Sequence, residues 1–166
     1  MEQLQKDYGN DLKIVYKQFV VHPDTATIPA LAVCAAQKQG KFAPMEKLVW
    51  EKGWVESGAR PLDLSKEAME GFAKQLKLNM AKFKADLDSE GCKQQLADNK
   101  ALMQKLGVRG TPGFFINGRY LVGAQGIDKF KAIIDEEVKK ADDALKNGAK
   151  LQDYYAQIID KGKKTN

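Results

Sequence analysis

The sequence predicts an α/β domain in which helices cover a sheet and a helical block interrupts the chain between strands. Three observations point there. Residues 11–21, "DLKIVYKQFVV", are rich in β-branched and aromatic types. A second such region, 113–123, is split by Asn117-Gly118, the dipeptide that a two-residue hairpin turn favours because both positions take φ > 0. About 90 residues of almost unbroken helix signals lie between the two. A plain strand–helix–strand crossover needs only about a dozen residues, so the block reads as an inserted subdomain.

Taken in order, residues 1–8 read as the end of a helix stopped near Gly9-Asn10. The 11–21 run lacks strict alternation, since Val20 and Val21 are adjacent, which suits a strand covered on both faces. In the helical block, Thr27 reads as an N-cap with Pro29 in the first turn and Gly40 as the stop, Leu31, Cys34 and Ala35 sharing a face. Phe42, Met45, Leu48, Val49 and Trp54 then recur at helical spacing. A Gly- and Pro-containing linker spans 55–63. Beyond it, Ser65 or Asp63 caps a helix whose stripe is Met69, Phe72, Ala73 and Leu76. "NMAKFKADLDS" is a short helix, and a longer one ends at Gly107. After the hairpin, Ile127, Phe130, Ile134 and Val138 give an amphipathic helix, Gly148 breaks it, and a last short helix follows. There Tyr154-Tyr155 reads as a docking face.

Composition narrows the function. The net charge is +5 and the pI about 9.1, yet the lysines alternate with Asp and Glu along helix faces. No aromatic–basic platform or helix-turn-helix pattern accompanies them, so nucleic acid is not an expected partner. No window approaches a membrane span, and "MEQLQKDYGNDLK" has no signal-peptide h-region. Two cysteines 58 positions apart and a single histidine make no C-x-x-C or zinc pattern, so neither a metal nor a cofactor is expected. His22, beside Pro23, reads as a helix-start residue in preference to one lining an active-site rim.

Pro112 is the singular feature. It lacks an N–H and therefore belongs at the head or edge of a strand. The residues alone leave its isomer open.

Several ordered motifs carry a resemblance. "LKIVYKQF" followed by "HP", "GKFAPMEKLVWEKG", "FKADLDS" and "KLGVRGTPGFFINGRYLVGAQGIDKFKAIIDEE" together resemble the DsbA-like thiol–disulfide oxidoreductases. These are thioredoxin-fold proteins with a helical insertion. The resemblance implies a thioredoxin-like part over 1–21 and 107–147, a helical subdomain over 22–106, and a C-terminal helix and tail over 148–166. It implies a cis Pro112 facing a redox-active cysteine pair, with Arg109, Gly110, Thr111 and Pro112 binding polypeptide substrate. It also implies a strand and a C-x-x-C segment ahead of the first helix, neither of which is in this sequence, so the thioredoxin-like sheet is expected to be incomplete. No catalytic residue is therefore assigned here, and the chain alone is expected to be inactive. An associated or swapped chain, or a preceding segment, is expected to fill the strand position and cover Val15 and Phe114.

Expected partners are polypeptide thiols and disulfides and a redox partner protein, in a periplasmic or other extracytoplasmic compartment. Cys34 and Cys92 then have three readings: a structural disulfide between insert helices, two buried free thiols, or a reactive site. The competing functional reading is a thioredoxin-fold peptide-binding or chaperone-like module without redox chemistry.

Overall fold

The computed structural model describes residues 1–55 and 63–161. The chain separates into two compact units: Met1–Tyr16 together with the residues from Lys105 onward, and Lys17–Gln104.

In the first unit, α1 (Glu2–Tyr8) ends at Gly9 and a 3₁₀ turn, Gly9–Asp11, follows. β1 (Gly113–Ile116) and β2 (Arg119–Val122) form an antiparallel two-stranded sheet in which Gly113 faces Val122 and Ile116 faces Arg119. Asn117 (φ 45°) and Gly118 (φ 86°) supply the two left-handed positions that so tight a hairpin demands. The long α7 (Ile127–Lys146) packs on one face of this sheet. Leu4, Leu121, Phe130 and Ile134 are its buried core, with Tyr8, Leu12, Phe114, Ile116, Ile133 and Val138 around them. α8 (Leu151–Lys161) closes the unit. Tyr154 is half-buried, and burial followed by the Glu137 carboxylate raises its hydroxyl pKa, whereas Tyr155 is 65% exposed. Adjacent helix positions lie about 100° apart, so only the first of the two tyrosines docks.

The 11–21 region corrects the sequence expectation. The chain enters it extended at Leu12 (φ −120°, ψ 119°), but residues 12–20 form no strand. A strand exists only as half of a hydrogen-bonded pair, and among the described residues the sheet contains β1 and β2 alone. The segment is also not covered on both faces, since Val15 is 61% exposed.

The second unit is helical: α2 (Pro23–Gln37), α3 (Phe42–Leu48) running into a π-helical turn (Val49–Val55), α4 (Lys66–Gln75), α5 (Met80–Leu87) and α6 (Glu90–Lys105). α2 starts earlier than expected. Pro23 takes its first position, where a missing N–H costs nothing, and the His22 carbonyl accepts from Thr25 and Ala26. Thr27 is therefore inside the helix, its hydroxyl donating to the Pro23 carbonyl, and Pro29 is an interior proline. α4 and α5 begin on side-chain caps. Ser65 Oγ accepts from Ala68 N–H, Asp63 Oδ1 accepts from Ser65 N–H, and Asn79 Oδ1 accepts from Lys82 N–H. Most of the 55–63 linker lies outside the described residues. Ala32, Val33, Ala35, Met45, Met69, Ala73, Phe83 and Leu87 are central to the core.

Candidate functional site

The Val108–Pro112 segment joins α6 to the hairpin, and it alternates between anchored and free. Val108 is buried, while Arg109, Gly110, Thr111 and Pro112 are all exposed. The Thr111–Pro112 bond is cis. The Pro112 carbonyl accepts from Gly123 N–H at 2.9 Å, so the sheet ladder continues one step past β1 on its carbonyl side. Among the described residues nothing takes up the Thr111 N–H or C=O.

Ladder alternation then decides which groups face out. Because Pro112 bonds to Gly123, Gly113 and Phe115 direct their N–H and C=O away from β2. The outer edge of β1 thus continues the free backbone of Thr111.

Three features hold this loop's footing. Phe114 meets Phe130 of α7 edge-to-face, ring centroids 4.8 Å apart. On the other face Tyr120 stacks on Phe115 at 4.7 Å and crosses Gly113, where a Cβ would come within 3.3 Å of the Tyr120 ring. Arg119 bonds to Glu136, and its Nη1 lies 3.3 Å from Glu137 Oε1, which also accepts from Lys140 Nζ at 2.7 Å. Glu137 is only 7% exposed. Burial alone would raise its pKa, but the Lys140 and Arg119 hydrogen bonds outweigh that and lower it.

α1 is clasped to α7 in the same manner. Asp7 Oδ2 lies 2.6 Å from Lys131 Nζ, and the Tyr8 hydroxyl donates to Asp135 Oδ1 at 2.5 Å. The Lys131 hydrogen bond lowers the Asp7 pKa, while burial and then Asp135 push the Tyr8 hydroxyl up to about 12.

The sequence does not single out Glu137, which sits in the solvated-looking run "DEEVKK". Its spacing is the signal: Phe130, Ile134 and Glu137 fall on one helical stripe, so a carboxylate there must find cations.

The cysteines offer no exchangeable thiol. Cys34 and Cys92 form a disulfide with Cα atoms 5.8 Å apart, and no cysteine is free. Both are at most 1% exposed. His22 is exposed at the N-cap of α2, where its backbone does the capping and its side chain takes no part. Among the described residues no group of three or more His, Cys, Asp or Glu could hold a metal ion.

A hairpin entered through a Thr-Pro step, backed by a long amphipathic helix and accompanied by a helical unit, defines a thioredoxin-like α/β protein. The family profile of the DSBA-like thioredoxin domain matches residues 1–135, and the chain belongs to that family. It is 31% identical over 134 residues to the Na(+)/H(+) antiporter NhaA of Herminiimonas arsenicoxydans, which covers 81% of this chain and 20% of that protein. With Na(+)/H(+) antiporter NhaA 1 of Salinispora arenicola (strain CNS-205) the identity is 32% over 137 residues, again 81% of this chain and 20% of the relative. A probable disulfide bond formation protein D from Bacillus cereus is 34% identical over 64 residues, 39% of this chain and 29% of that protein. The chain therefore spans about a fifth of the length of the antiporters it matches.

Proposed function

We propose that this chain supplies the C-terminal, substrate-holding portion of a DsbA-like protein-disulfide oxidoreductase or isomerase. Arg109, Gly110, Thr111 and Pro112 bind an extended segment of a polypeptide thiol or disulfide. The observation that carries this is the free, exposed backbone of Thr111, continuous with the open edge of β1 and pinned from behind through Pro112 and Gly123. Such an edge binds extended peptide by strand addition. The similarity to disulfide bond formation protein D supports the same class of substrate.

The redox step belongs to a C-x-x-C pair that these 166 residues do not contain. There a thiolate attacks a disulfide sulfur, and a mixed disulfide is resolved by the second thiol. A redox partner protein resets the pair. The thioredoxin-like part over 1–21 and 107–147 takes up the missing strand from an associated or swapped segment, for which the unpaired edge of β1 and the exposed Val15 are the support. A buried disulfide suits a periplasmic or other oxidising compartment. Ion transport forms no part of the reading, because similarity reaches only 20% of the antiporter relatives.

A titration of isotope-labelled protein with an extended cysteine-containing peptide tests it. Amide shifts centred on Gly110, Thr111 and Gly113 are expected. Saturable shifts centred elsewhere, or none, refute it. The bridging of both cysteines favours one second reading, a peptide-holding module with no redox role. In that case the peptide still binds, but adding a strand–C-x-x-C segment gives no disulfide exchange.

A further inference from the structure

The disulfide of the helical unit fastens one helix to a core that is otherwise complete. The large apolar cluster is built from α2, α3, the π-helical turn, α4, α5 and the connections beside them. Among the described residues, no side chain of α6 belongs to it, although α6 is 16 residues long. The buried residues of α6 are Cys92 and Asn99. The other ties are thin: Gln95 Nε2 donates to Gln37 Oε1 at 3.3 Å, and Gln95 Oε1 lies 3.6 Å from Cys34 Sγ. At the helix start, Ser89 Oγ accepts from Cys92 N–H at 3.3 Å and from Lys38 Nζ at 3.4 Å. Against these, Cys34 sits in the most deeply buried stretch of α2, between Val33 and Ala35.

We infer that Cys34–Cys92 is a redox-operated latch that holds α6 on the helical unit and releases it on reduction, leaving the α2–α5 core folded. The reductant is a dithiol, such as a reduced C-x-x-C protein. One of its thiolates attacks Cys34 or Cys92 Sγ and the intramolecular S–S bond breaks. Its second thiol then closes the reductant's own disulfide, so two electrons and two protons end on Cys34 and Cys92 as thiols. Both sulfurs are sealed while α6 is docked, so the helix must lift before the attack.

Amide hydrogen exchange read by mass spectrometry tests it, on the oxidised protein and on the same protein in excess dithiothreitol. With α2–α5 still folded, the loop that the bond closes is only the few residues from the end of α5 to Cys92, which shifts the opening equilibrium by roughly 30-fold. Protection across Glu90–Lys105 should fall by that factor, while α2, α4 and α5 keep theirs. The double variant Cys34→Ala/Cys92→Ala should show the same pattern without reductant. Unchanged protection in α6, or equal loss in all four helices in the reduced wild-type protein, overturns the inference. The rate of reduction should also level off as dithiothreitol rises, at the opening rate of α6. A rate proportional to dithiothreitol throughout refutes the sealed latch.

Discussion

Replacing Phe130 by alanine should cost the hairpin unit a large share of its stability. Among the described residues, the buried cluster under the sheet is Leu4, Leu121, Phe130 and Ile134. Phe130 is 5% exposed and contributes the edge-to-face contact with Phe114. Truncating a buried phenylalanine costs about 3–5 kcal/mol through lost transfer energy and the cavity left behind. The aromatic pair accounts for roughly 0.5–1.5 kcal/mol beyond area. A body of this size has net stability on the order of 4–12 kcal/mol, so the loss is between about a quarter and all of it. Tryptophan fluorescence cannot read this out, because Trp50 and Trp54 both lie in the helical unit. Amide exchange in β1, β2 and α7 can. Phe130→Leu, which refills much of the cavity, should recover more than half of the loss. A cost below about 1 kcal/mol for Phe130→Ala, or equal costs for the two variants, refutes the assignment of Phe130 as the centre of this core.

Other substitutions separate the remaining supports. Glu137→Gln should destabilise the same unit by about 1–2 kcal/mol at neutral pH, less than a sealed ion pair because Arg119 and Lys140 are partly exposed. The folded-state pKa of Glu137 is lowered, so its contribution is fully present above the unfolded value of about 4.5 and is lost as pH falls through the folded value. Thermal melts from neutral to acid pH should show wild type and variant converging in acid, and parallel curves would exclude this. Ser65→Ala removes the α4 cap and should lower helical-unit stability by about 1 kcal/mol, read by denaturant titration with tryptophan fluorescence. Gly118→Val forces a β-branched residue to φ 86° and should cost at least about 1–2 kcal/mol; hairpin amides that exchange as in wild type would contradict the turn assignment.

Much of the architecture was legible because local rules and packing agreed. The Met69, Phe72, Ala73 and Leu76 stripe, the Ser65 cap and the Asn117-Gly118 turn needed nothing beyond their neighbours in sequence. Where two local signals competed, the sequence could not arbitrate. His22-Pro23 and Thr27–Pro29 both read as a helix start, and the earlier one prevails, with Pro29 accommodated inside α2. The 11–21 segment failed for a different reason. β-propensity describes how a residue fits a paired surface, and pairing belongs to the neighbour rather than to the segment. The bond between Cys34 and Cys92 was one of three open readings because 58 residues of separation carry no geometric information.

At the candidate site the sequence singled out the exposed residues and missed what makes them useful. Arg109 to Pro112 are four mobile-looking positions on their own. Their footing comes from buried Val108 on one side and the Pro112–Gly123 bond on the other. Below them, Phe114 is locked on Phe130 and Arg119 on Glu136 and Glu137. A binding backbone placed on rigid elements loses little entropy when an extended peptide pairs with it. Both cysteine sulfurs of the chain are bridged and buried inside the helical unit, so under the proposed function Arg109 to Pro112 position a polypeptide while a thiol pair outside these 166 residues carries the exchange.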